Sequence, residues 1–205
     1  MDGEESLRER NRRLTRAVIA DAAMELFKER GFDQVSVAEV AAAAGVAAKT
    51  VYNYFPVKAE LFFDEGDDLL AELLAAVRYR AAGEPALAAV RTFLDGRAEW
   101  AAGRRPARPT AQFRRLIAAS PALQAHRRLM FARYESALAE LLAEETRVAA
   151  GSAEPFVAAA ALVAVLRAPF EASPGRRDTR DATGPALDLL ASGLAGYAVA
   201  TPRGR

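Results

Sequence analysis

The 205-residue sequence contains no cysteine and a single histidine, His126. Without cysteine there are no disulfides and no thiolate metal sites, which agrees with a reducing cytoplasm. One histidine, no glycine-rich phosphate loop and no Glu-x-x-His or other carboxylate cluster at metal-ligand spacing leave little for catalysis, so no enzyme activity, metal or cofactor is expected. Neither sign of charge dominates: 28 Lys and Arg face 27 Asp and Glu, a net charge of +1. Any attraction to nucleic acid must therefore be local. Long hydrophobic runs are also missing. The longest, "PFVAAAALVAVLRAPF", is interrupted by Arg167 and short for a bilayer, so no membrane partner is expected. The first sixteen residues are charged and have no apolar core of the kind a secretory leader needs.

What is present is alanine and helical periodicity almost everywhere, with strand alternation almost nowhere. The pattern predicts an all-α fold of about nine helices. The first runs from Arg12 to Arg30 with Leu14, Val18, Ile19, Ala22, Leu26 and Phe27 as its apolar stripe, and Gly31 stands at its C-cap. Ser36 and Glu39 form a capping box for a second helix ending near Ala44, and a third runs from just after Val46 to before Pro56. Further helices are expected at 57–80, 85–102, 110–119, 121–148, 154–172 and 185–200, with basic "GRRPARP" (103–109) and "SPGRRDTRDATGP" (173–185) as connectors.

The stretch "VSVAEVAAAAGVAAKTVYNYFPVKAELF" (35–62) holds two short helices about one glycine. Ala41 is small enough for a close helix crossing, and Gly45 suits a left-handed turn. Val40, Val46 and Val51 are expected to point inward, with Phe55 closing the base against the first helix. Ala47, Ala48, Lys49, Thr50, Tyr52, Asn53 and Tyr54 are left at or near the outer face. That face offers donors, acceptors, a cation and stacking rings, as a helix entering a DNA major groove requires. Arg8, Arg10, Arg12, Arg13 and Arg16 form a basic cluster diluted by Glu4, Glu5 and Glu9, from which one or two arginines reach phosphates or a minor groove, or else form a solvated terminus.

Across residues 12–62 the sequence resembles the tetracycline-repressor (TetR) family of transcription regulators. Gly31-Phe32, Ala44-Gly45-Val46, Thr50-Val51-Tyr52-Asn53-Tyr54-Phe55 and Lys58-Ala59-Glu60-Leu61 match that family's DNA-binding domain in order and spacing. Beyond residue 80 the likeness is one of helical layout. The resemblance implies an arm at 1–11, a helix-turn-helix DNA-binding domain at 12–56, a helical effector-binding and dimerisation domain at 57–200, and a tail at 201–205. It implies DNA contacts from Ser36, Thr50, Tyr52, Tyr54 and Lys58, to which the outer face adds Lys49 and Asn53 and the basic cluster adds Arg13 as expected contacts. Tyr52 and Lys58 fall at phosphate-holding positions, Thr50 and Tyr54 at backbone or base-edge positions, and Ser36 at a phosphate contact. Two positions depart from the family: Ala38 stands where many relatives carry a base reader such as arginine, and Ala47 where many carry serine.

The remaining helices are expected to supply a homodimer interface, from the all-round apolar segment 156–166 with Leu187, Leu190, Leu194 and Tyr197, and an effector site. Candidate effector contacts are Trp100, Phe113, His126, Met130, Tyr134 and Arg167, for which core packing is the competing reading. Arg167, inside an apolar helix, calls for solvent, an acid or an anionic ligand. The expected function is a ligand-responsive repressor that binds a palindromic double-stranded DNA operator as a dimer. The competing class is a helical small-molecule-binding or interaction protein whose DNA contacts have weakened.

Overall fold

The computed structural model describes residues 7–104, 111–148, 152–171 and 179–193. Among them are nine α-helices and no strand. These are α1 (Leu7–Arg30), α2 (Val37–Ala43), α3 (Ala48–Tyr54), α4 (Gly66–Arg78), α5 (Ala86–Arg104), α6 (Ala111–Ala119), α7 (Pro121–Thr146), α8 (Ala153–Glu171) and α9 (Thr179–Ser192). A short 3-10 turn covers Lys58–Leu61. The all-α expectation holds, and the chain divides into two compact units: Met1–Asp68 with Gln112–Leu129, and Leu69–Ala111 with Met130–Arg205.

Three local readings change. The helix expected over 57–80 starts at Gly66 instead. Before it the chain makes the 3-10 turn and a tight turn closed by the Gly66 amide on the Phe63 carbonyl, which lets Leu61, Phe62 and Phe63 all turn inward. Pro185 does not open the last helix but lies inside α9, where a proline removes a single intrahelical hydrogen bond. The stripe of α1 is also rotated. Ile19, Ala20, Ala23, Met24 and Phe27 are buried, whereas Leu14 and Val18 are exposed. Ala20 and Ala23, small enough for close packing, take core positions where the larger Leu14 and Val18 do not, so side-chain size misidentified the buried face.

In the first unit, Phe62 is fully buried among rings. It stacks on Phe113 at 4.2 Å and meets Phe63 edge-on at 5.0 Å, with Phe27 and Phe32 at 6.3 and 6.4 Å. Ser120 at the start of α7 donates to Asp33 Oδ1 (2.9 Å) while accepting from the Leu123 amide. Thus α6 and the first turns of α7 complete the core beneath the N-terminal helices. No helical periodicity could signal that partnership.

In the second unit, α9 packs on α5 and α8. Leu73, Val77, Val90, Tyr134, Leu138, Val163 and Leu187 are essentially inaccessible. Ion pairs tie the helices at their rims: Arg97 to Glu72, Arg91 to Asp188, and the Arg80 fork to both carboxylate oxygens of Glu145 at 3.0 and 2.7 Å. Among the described residues α8 alone is long and apolar enough, by length and composition, to cross a membrane, a test that the core helix of a folded domain also passes. Within one chain it is covered on one side. Leu162, Val163, Val165 and Leu166 are buried, while Phe156, Val157 and Ala164 are exposed.

Candidate nucleic-acid interface

The turn between α2 and α3 is a Schellman motif. The Val46 amide donates to Ala41 O (3.0 Å) and the Gly45 amide to Ala42 O (3.2 Å), with Gly45 at φ +67°. That left-handed residue turns the chain from α2 into α3, and Val40 and Val51 have no exposed surface. Burying Val51 fixes the rotation of α3. Lys49, Tyr52 and Asn53, spaced i, i+3 and i+4, are exposed on one face, with Thr50 and Tyr54 half-buried at its edge.

The two helix starts differ. At α2, Ser36 Oγ accepts from the Glu39 amide (3.2 Å) and donates to Glu39 Oε2 (2.7 Å), and the Ser36 amide donates to the same oxygen (2.8 Å). Arg30 adds an ion pair to the other carboxylate oxygen at 2.7 Å. These hydrogen bonds, from the Ser36 amide first, then its hydroxyl, then Arg30, hold the Glu39 carboxyl down at a pKa of about 2. At α3, by contrast, Ala47 supplies no side-chain cap, and the first-turn amides of Thr50 and Val51 share its carbonyl. The departure from serine therefore leaves α3 to be oriented by its buried face and its far end.

The capping carboxylate has a pH signature. Its folded pKa lies below the unfolded value, so its stabilisation is fully present above pH about 4.5 and is lost as pH falls toward about 2. Glu39→Gln is expected to lower the melting temperature most above pH 5, with the gap from the parent closing toward pH 2. A gap that ignores pH in thermal melts would remove the carboxylate from that role.

The other expected contacts lie as follows. Arg13 is exposed on α1. Lys58 is half-buried: Nζ donates to Phe32 O at 2.6 Å and sits 4.2 Å from the Phe32 ring centroid. Burial pushes the ammonium below its usual pKa range, opposed by the Asp33 and Glu39 carboxylates. Arg16, read above with the basic cluster, is turned inward. It donates to Tyr54 O at 3.1 Å and Asp64 O at 2.7 Å, with its guanidinium 4.3 Å from the Phe55 ring centroid. Sequence reading missed this because an arginine in a basic run looks the same whether it faces water or a carbonyl.

The candidate effector contacts fall into both units. Phe113 stacks on Phe62, and His126 stacks on Phe63 at 5.6 Å, both within the first unit. In the second, Met130 and Tyr134 are buried beside Phe131, and Arg167 pairs with Glu135 over the Phe131 ring. An acid is thus the partner that Arg167 required. Trp100 lies in α5 with its side chain outside the described residues, and Leu194 and Tyr197 fall outside the described residues altogether. Among the described residues no group of three His, Cys, Asp or Glu side chains could hold a metal ion.

Residues 19–64 match the model for bacterial regulatory proteins of the TetR family, and residues 84–195 match that for the MftR C-terminal domain. The chain is 28% identical over 199 residues to a Mycobacterium tuberculosis protein named as a mycofactocin biosynthesis transcriptional regulator, MftR, covering 90% of this chain and 93% of that one. Among solved structures it is similar to native NalD, the secondary repressor of the MexAB-OprM multidrug efflux pump in Pseudomonas aeruginosa. That likeness has a TM-score of 0.55 at 22% identity and covers 89% of this chain and 97% of NalD. A Mesorhizobium loti chain described as a TetR-family transcriptional regulator is similar at TM-score 0.55 and 20% identity, over 90% and 96% of the two chains. At such identities the structural likeness speaks to the fold.

Proposed function

The chain belongs to the TetR family of bacterial regulatory proteins, with a C-terminal part of the MftR type, and from that premise we propose that it is a dimeric, ligand-responsive repressor acting on a palindromic operator in the cytoplasm. The observation that carries the reading is the outward face of α3, where Lys49, Tyr52 and Asn53 stand together above a fully buried Val51. A cation, a phenol and an amide on one helical face supply what base edges and phosphates bind. Thr50 and Tyr54 flank them. Ser36 and Arg13 contact phosphates from α2 and α1. Lys58 joins them with the ammonium hydrogens left after its bond to Phe32 O.

In this reading residues 12–56 read DNA, and residues 57–200 dimerise and take the effector. The exposed Phe156, Val157 and Ala164 of α8 support the dimer, since an apolar helix face gains most by meeting its own copy across a two-fold. An effector binds in the second unit, beside the buried Met130, Phe131 and Tyr134 and the half-exposed Arg167. Trp100 in the same unit, and Phe113 and His126 in the first, are the separate alternative contacts. Effector binding shifts the population toward a conformer whose two recognition helices no longer match the operator half-sites. The MftR likeness makes mycofactocin biosynthesis genes the first place to look for an operator.

Selection of genomic fragments by the purified protein is expected to return one palindromic motif, with binding falling steeply as salt rises, by a species that sediments as a dimer. Fragments without a common motif would favour instead a helical small-molecule-binding protein with weakened DNA contacts. The missing base reader at Ala38 and the uncapped α3 at Ala47 are the features that favour that second reading.

A further inference from the structure

We propose that Arg16 is a positioning residue that sets the angle of the recognition helix, and that its charge is spent inside the protein instead of on DNA. The inference rests on the DNA-binding reading above and adds to it a residue outside the reading face.

A helix of seven residues is too short to hold its own direction. For α3, the N-terminal end has no side-chain cap. One side is held by Val51. The C-terminal end is held by Arg16, which bridges two segments with one guanidinium. One N–H bond goes to Tyr54 O, the last residue of α3, and another to Asp64 O, in the turn before α4. The Phe55 ring lies under the cation at 4.3 Å, and Phe55 and Asp64 are buried. The carbonyls at a helix end lack intrahelical donors and carry the negative end of its dipole, so a cation there satisfies both needs. Only a planar fork reaches two carbonyls while stacking on a ring; lysine, a point charge, cannot do all three. Arg16 thereby ties α1, the exit of α3 and the approach to α4 at one point.

The test measures operator affinity across a salt series for Arg16→Met and Arg16→Lys, with amide hydrogen exchange on the free proteins. Arg16→Met is expected to lose specific affinity by about tenfold with the salt slope unchanged, because no phosphate contact is removed. Arg16→Lys is expected to recover only part of that loss. Should Arg16→Met fail to fold, Arg16→Lys carries the comparison. Exchange at residues 51–55 and 62–66 is expected to quicken while the rest of the unit keeps its protection. A salt slope reduced by about 0.9 per half-site would make Arg16 a phosphate contact and overturn the proposal. Unchanged affinity, or full recovery by lysine, would also overturn it. If the parent protein selects no DNA motif, the DNA reading fails separately, and exchange decides whether Arg16 holds the end of α3: faster exchange there supports it, unchanged exchange overturns it.

Discussion

Lys49→Ala combined with Asn53→Ala is expected to weaken operator binding by at least about a hundredfold while leaving the fold intact. Both side chains are exposed on α3, one turn apart, and neither contributes to the core around Val51. Surface truncations of this kind change stability by only about 0.5 kcal/mol. A good base contact is worth about 1–3 kcal/mol, and in a dimer the change is made in both half-sites. Fluorescence anisotropy against the selected operator reads the loss, and a thermal melt on the same samples checks the fold. A loss equal on operator and random DNA would assign the pair to phosphates instead of bases. An unchanged dissociation constant would sink the idea that α3 reads the groove.

Phe62→Ala carries the largest expected effect on stability. Its ring is fully buried and touches Phe63 and Phe113 closely, with Phe27 and Phe32 beyond. Truncating a buried phenylalanine costs about 3–5 kcal/mol through lost transfer energy and the cavity left behind. Against a typical net stability of about 5–15 kcal/mol, that is a large share. Urea unfolding is expected to show the loss as a fall in midpoint, with Phe62→Leu, which fills more of the space, retaining most of the stability. A fall worth less than about 1 kcal/mol, well under the usual cost of such a truncation, would mean that the surrounding rings collapse into the gap and that the cluster is not the keystone of the first unit.

The reading from sequence succeeded where neighbours in the chain make the structure. The capping box at Ser36 and Glu39, the glycine turn at Gly45 and the inward Val40 and Val51 all depend on contacts within a few residues, so spacing and residue type suffice. It failed where the deciding partner lies far along the chain. Arg16 meets carbonyls 38 and 48 residues away, and Ser120 meets Asp33 across 87. Arg167 looked anomalous in an apolar helix until Glu135, 32 residues earlier, supplied its charge partner.

By itself, then, the amino-acid sequence determined the all-helical class, the helix-turn-helix and the side chains offered on its outer face, because periodicity, caps and turn residues act locally. Tertiary structure alone decided which side of α1 is buried, that Phe113 and Ser120 complete the core beneath the N-terminal helices, and that Arg16 faces inward at the end of α3. Those outcomes depend on which distant surfaces fill each other's space and satisfy each other's polar groups, and no local pattern carries that information.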